Sequence, residues 1–203
     1  MIVSHRKKFV FIHIYKTAGT SVRSALREYA DITHDRITLR RILYVARIAP
    51  PPSEHAKACE IRKMLGEDLF NSYYKFAFVR NPWDWQVSMY HYVRSHPLHP
   101  LYFQVRKLKD FGDYTLWLKD RENDTQSSFL TDINGEFIVE KIGRFEEINN
   151  DFEEICKHID VNKYLPHQNQ SARACYRQYY NEQSRARIEE LFQIDIENFG
   201  YSF

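Results

Sequence analysis

Phe9-Val10-Phe11-Ile12-His13-Ile14-Tyr15-Lys16-Thr17-Ala18-Gly19-Thr20-Ser21 decides the fold of this chain. Phe9 to Ile14 is a short, nearly continuous apolar run of β-branched and aromatic residues, the pattern of a strand buried on both faces. After the polar loop around Gly19, Thr20 to Ala30 places Val22, Ala25, Leu26 and Tyr29 at helical spacing, which predicts a helix with one apolar face. Where a strand hands over to a helix through a glycine loop, several backbone N–H groups can converge on one anion, reinforced by the helix N-terminus. Gly19 permits close backbone approach, Lys16 adds a mobile cation, and Thr17, Thr20 and Ser21 add hydroxyls around Ala18. The pattern G-x-x-x-x-G-K-[ST] is absent, so this is not a Walker A loop. An ordinary strand-to-helix turn has the same outline, and the segment alone does not separate the two.

Downstream, Arg36 to Arg47 is basic with interspersed apolar residues and stops at Pro50-Pro51-Pro52. Ser53 is placed to cap a helix through Leu65, with Ile61 and Leu65 on one face and Gly66 as its stop. Lys75 to Arg80 is a second buried strand. Asn81 and Pro82 then pair a helix cap with proline at the first helical position, opening a helix that carries Trp85, Val87, Ser88 and Tyr92. Ser95 to Phe111, with Pro97 and Pro100, reads as an irregular surface segment. Phe137 to Ile142 is a short strand, and Asn150 with Glu153 starts a helix carrying Phe152, Ile155 and Ile159. Arg185 to Phe199 is helical by periodicity. Without repeats, low-complexity tracts or linkers, residues 1–203 read as a single α/β domain.

The 203 residues suffice for one such domain with a real core. A hydrophobic content of 43% with 28% charged residues argues against disorder. The net charge of +2 does not mark a nucleic-acid binder, so an anion site must be built locally. The apolar run from Phe9 is too short for a secretory leader and far too short to span a bilayer. Cys59, Cys156 and Cys175 are scattered without metal-ligand spacing, which fits a reducing compartment and predicts a cytoplasmic protein.

A second site follows the second strand: Phe78-Val79-Arg80-Asn81-Pro82-Trp83-Asp84, then Ser88. Arg80 ends the strand at the carboxyl edge, where open α/β sheets bind ligands. Ser88 lies about two turns into the next helix. Taken alone, Arg80 is equally a surface arginine and Ser88 a helix serine.

Together the two stretches resemble the nucleotide motifs of the sulfotransferases that use 3'-phosphoadenosine-5'-phosphosulfate (PAPS), nearest to the carbohydrate branch. Phe11 to Ser21 is similar to that family's 5'-phosphosulfate loop, and Phe78 to Asp84 with Ser88 to its 3'-phosphate motif. Gly143-Arg144-Phe145-Glu146, Leu165-Pro166-His167-Gln168-Asn169 and Phe199-Gly200-Tyr201 extend the resemblance through most of the chain. It implies a P-loop-like three-layer fold, a parallel sheet flanked by helices. It implies that Lys16 neutralises the leaving 5'-phosphate, that Thr17 to Ser21 cradle it, and that Arg80 and Ser88 hold the 3'-phosphate. Ser171 and Arg173 match a late loop that closes over the nucleotide. PAPS is then the co-substrate and PAP the product, with no metal expected. One residue departs from the pattern: Tyr15 stands where the family usually has proline, and proline would fix φ and remove a donor.

The acceptor proton needs a base. The resemblance points to His55, expected in the first turn of its helix, where the dipole favours neutral imidazole. Glu54 is the fallback. His13, inside a strand, reads as structural, whereas His34 and His167 stay open. A carbohydrate or other anionic acceptor, a small molecule in either case, would suit the basic and aromatic stretch Arg94 to Lys109 (Arg94, His96, His99, Tyr102, Phe103, Arg106, Lys107), with Arg40, Arg41 and Arg47; a solvated basic face fits as well. Two other readings remain at this point: a kinase-like phosphotransferase using ATP and magnesium, and a non-catalytic nucleotide-binding module, for which Tyr15 is the best support. The oligomeric state is open.

Overall fold

The computed structural model describes residues 1–33, 53–166 and 174–203. Its elements are β1 (Ile2–Ser4), β2 (Phe9–Ile12), α1 (Gly19–Leu26), β3 (Ile32–Thr33), α2 (Ala58–Leu65), α3 (Glu67–Asn71), β4 (Tyr74–Val79), α4 (Pro82–Ser95), α5 (Tyr102–Val105), α6 (Phe111–Lys119), β5 (Lys141–Arg144), α7 (Ile148–His158), α8 (Glu182–Leu191) and α9 (Gln193–Phe199). The basic segment from Arg36 to Arg47 and its proline stop lie outside the described residues. The chain divides into two compact units, Met1–Val79 with Gln126–Asn169, and Arg80–Thr125 with Gln170–Phe203.

The first unit holds a five-stranded sheet in the order β3-β1-β2-β4-β5. The expected parallel sheet is its β2–β4–β5 part, with Phe11 opposite Phe76 and Val79 opposite Arg144. To this β1 and β3 add an antiparallel edge. The sequence does not disclose β1, because its three residues, Ile2–Ser4, are too few to show a period.

Alternation along the strands sends Phe9, Phe11, Phe76 and Phe78 to one face, where they pack with Val22 and Leu26 of α1 and Phe152, Ile155 and Cys156 of α7. On the other face the Lys75 ammonium lies 5.1 Å from the Phe70 ring centroid of α3 and pairs with Glu140. Gly143 lets α7 approach: a Cβ there would stand 2.6 Å from the Phe78 ring and 3.1 Å from Asp151.

Several boundaries move from their sequence positions. Phe137 and Ile138 do not enter the sheet; Phe137 bridges Thr131 across a turn in which Asp132 accepts from the N–H groups of Asn134 and Glu136. The strand there is Lys141–Arg144. Asn150 lies inside α7, which is entered from a 3-10 turn over Phe145–Glu147. The C-terminal periodicity resolves into α8 and α9.

The second unit is helical. Asn81 caps α4 as expected, accepting from the N–H groups of Trp83 and Asp84. Its core is aromatic: Trp85 packs edge-on against Phe192, and Tyr90 against Phe111, while the Tyr114 hydroxyl donates to Gln86. The segment Ser95–Phe111 is less irregular than its prolines suggest, since α4 runs through Ser95 and α5 adds a turn. Among the described residues no helix is long and apolar enough to cross a membrane.

Candidate active site

Strands β2 and β4 are parallel neighbours, so both end at the same sheet edge, β2 at Ile12 and β4 at Val79. The loop leaving β2 is bent tightly. Lys16 (φ 62°) and Ala18 (φ 61°) both occupy the left-handed region, which non-glycine residues seldom visit. The buried Thr17 between them donates its hydroxyl to the Ile14 carbonyl at 2.8 Å. Left-handed residues in such a loop are one of the ways a chain can turn successive N–H groups toward one side. Ala18 has no side chain with which to cap α1, and the first turn of that helix carries no acid. The helix therefore starts with no negative group of its own to answer its dipole.

Gly19 is there because His13 is behind it. A Cβ at Gly19 would lie 1.8 Å from Cδ2 and 1.9 Å from Nε2 of His13. His13 is 4% exposed, and burial pushes its imidazole down to about 4, so it is neutral. Its Nδ1 makes no hydrogen bond among the described residues, although Glu54 Oε1 stands 3.4 Å away. That carboxylate also pairs with Arg23 of α1. His13 beside it, and then the charge of Arg23, hold the Glu54 carboxyl down to about 2 against the upward push of partial burial. A carboxylate so held is a poor proton acceptor.

His55 does not sit in a helix. It lies in a turn before α2, whose cap is Lys57 rather than Ser53. The Ser53 hydroxyl oxygen accepts instead from the His55 N–H at 3.1 Å, and the Lys57 N–H donates to Glu60. The expected dipole effect is thus replaced by burial as the main influence lowering the His55 value. His55 Nδ1 lies 2.8 Å from the His13 carbonyl oxygen, which can only accept. The proton is therefore on Nδ1, and Nε2 carries the lone pair. Tyr15 packs edge-on against both His55 and Phe129, with ring centroids 5.8 and 5.7 Å apart.

Sequence reasoning did not find this assembly of His13, Arg23, Glu54, Tyr15 and Phe129. Its members span residues 13 to 129, and no local pattern joins them.

In the second unit Arg80 is 6% exposed, and its Nε and one terminal nitrogen both donate to Asp84 Oδ2, at 2.7 and 2.6 Å. Asp84 and Ser88 are one turn apart on α4 and share a face. The brace around the start of α4 comes from the chain's other end. Asn81 Nδ2 donates to the Ser202 carbonyl, the Tyr180 hydroxyl donates to the Trp83 carbonyl, and Phe203 packs edge-on against Trp83 and Tyr180. Arg94, offered above as an acceptor ligand, is turned inward to the Tyr90 hydroxyl and the Leu108 carbonyl. Arg106 donates to the Tyr102 hydroxyl. Ser171, Arg173, His34, His167, Arg40, Arg41 and Arg47 lie outside the described residues.

A family model described as the sulfotransferase family matches residues 1–202. The chain belongs to the sulfotransferase family. An uncharacterized protein of Archaeoglobus fulgidus is 31% identical to this sulfotransferase over 109 residues, which cover 52% of this chain and 82% of that protein. Among solved structures, the mouse sulfotransferase SULT7A1, crystallised with PAP, is similar with a TM-score of 0.50 and 17% identity. The match covers 96% of this sulfotransferase and 87% of that chain. At that identity the likeness is one of fold, and it agrees with the α/β architecture described above.

Proposed function

We propose that this sulfotransferase moves a sulfuryl group from PAPS to a hydroxyl of a small-molecule acceptor, a carbohydrate in the first instance, with His55 as the base. The observation that carries the reading is the coupling of His55 to the loop after β2. The carbonyl of His13, at the end of that strand, fixes the tautomer of His55, and the residues that follow form the anion loop.

In the proposed step the acceptor oxygen bonds to sulfur while the bond between sulfur and the 5'-phosphate oxygen breaks. The acceptor proton goes to His55 Nε2, and the bonding electrons leave with the phosphate, giving the sulfate ester and PAP. Such transfers ask the protein mainly for alignment and for stabilisation of spread negative charge. Lys16 answers the charge that collects on the leaving phosphate, the backbone and hydroxyls of Thr17 to Ser21 hold it, and Arg80 and Ser88 take the 3'-phosphate. Ser171 and Arg173 are proposed to close on the nucleotide. The rings of Tyr15 and Phe129, with the Lys57 ammonium 5.4 Å from the Phe129 centroid, suit a sugar face carrying anionic groups. The three free thiols support the cytoplasm as the place of work.

Calorimetric titration with PAP, against ADP and ATP–magnesium, tests the donor. Binding of PAP that is preferred over both and weakened about 10- to 100-fold in Arg80→Ala is expected. Preference for ATP–magnesium sinks the proposal.

A further inference from the structure

We propose that His13, Glu54 and His55 form a site for a divalent cation of the zinc class, and that its occupation switches sulfuryl transfer off. One ring nitrogen of each histidine and one carboxylate oxygen lie within 4.8 Å of one another. Two ligands on a tetrahedral zinc ion are about 3.4 Å apart when each bond is near 2.05 Å, and His13 Nδ1 and Glu54 Oε1 are separated by 3.4 Å. The nitrogen is buried and aimed at the carboxylate, and its geometry makes no full hydrogen bond to any described residue, so its lone pair or proton has room for another partner. Two imidazoles with one carboxylate select zinc-like ions over magnesium or calcium, which prefer all-oxygen shells. Three protein ligands leave a fourth position for water.

Two cationic groups oppose the ion, the Met1 ammonium, which donates to the Glu54 carbonyl, and Arg23, which bears on the ligand itself. The Arg23 guanidinium rests on the same carboxylate oxygen as His13, so the ion and Arg23 compete for Glu54. This competition makes the site one of moderate affinity, suited to reversible occupation. The consequence for transfer rests on the reading of His55 as base. Whichever of its nitrogens binds the ion, His55 loses either the Nε2 lone pair or the Nδ1–H bond to the His13 carbonyl. The ion is an antagonist of the reaction here and takes no part in it.

The test is calorimetric titration of the whole chain with Zn2+, repeated with Co2+ to follow visible absorption bands of a nitrogen–oxygen tetrahedral site, alongside PAP binding and transfer assays. One Zn2+ per chain is expected. Affinity should fall at least about a hundredfold in His13→Ala and in Glu54→Gln, and rise about tenfold in Arg23→Met. Glu54 is partly exposed, so Glu54→Gln stays informative if His13→Ala does not fold. Zn2+ binding that survives both ligand variants, or that weakens in Arg23→Met, overturns the site. Binding with the expected dependences but no inhibition of transfer overturns the antagonism. Zn2+ binding of the expected kind without any PAP binding supports the site and counts against the donor reading alone.

Discussion

A histidine that takes a proton, the role proposed for His55, must begin neutral, and at His55 burial rather than a helix end favours that form. Because the folded value lies below the ordinary 6.5, the imidazole stays deprotonated to lower pH than a free one. The acid limb of the rate–pH profile should have its midpoint below pH 6.5. His55→Ala should lower kcat about 10²- to 10⁴-fold and abolish that acid limb; an unchanged limb in the variant would assign it to another group. His13 makes a separate prediction, about stability. Its folded value is about 4 against 6.5 unfolded, so as pH falls the unfolded chain takes the proton first. Its contribution is constant above 6.5 and is lost between 6.5 and 4, by roughly 3 kcal/mol at full span. Urea denaturation at a series of pH values should show this slope in the native chain. In His13→Gln the slope over that window should flatten.

At the scale of elements, the turn from β2 into α1 depends on a glycine whose reason is not conformational. Gly19 is missing from the positive-φ glycines; what it provides is room for the His13 ring. Gly19→Ala should therefore destabilise by about 2–3 kcal/mol, as overpacking does, and lower Tm by about 4–12 °C. Adding His13→Ala should restore part of the loss, a positive coupling that a thermal double-mutant cycle reads directly. If the two losses simply add, the close approach is not what makes Gly19 necessary. These elements differ in how far the sequence discloses them. The buried strands β2 and β4, and the Asn81-Pro82 start of α4, are legible because period, burial pattern and cap chemistry agree over a few neighbouring residues. The Ser53 cap misleads because Ser53 satisfies the His55 N–H within a turn, leaving Lys57 and Glu60 to begin α2. The turn out of β2 is legible from Lys16 to Ser21. Its rear wall is not: Arg23 and Glu54 are 31 residues apart and meet only once the fold is made.

For the whole molecule, a net charge of +2 gives little long-range attraction for a nucleotide carrying several negative charges. On the proposed donor reading, recognition of PAP therefore rests on local groups. That has a thermal consequence. A ligand that binds only the folded chain stabilises it by RT ln(1 + [L]/Kd), about 2.7 kcal/mol at a hundred times Kd. For a chain of this length each kcal/mol moves Tm by about 2–4 °C, so PAP at a hundred times its Kd should raise the midpoint by about 5–11 °C. The rise should grow with the logarithm of PAP concentration, not level off once the site is full, because mass action continues to draw the unfolded population back. In Arg80→Ala the same curve should be displaced to higher PAP by the loss in affinity, with its slope intact. Differential scanning calorimetry across a PAP series, with ATP–magnesium in parallel, measures both features. A midpoint indifferent to PAP, or one that ATP–magnesium raises as far, would remove the donor assignment and leave only the family and the fold.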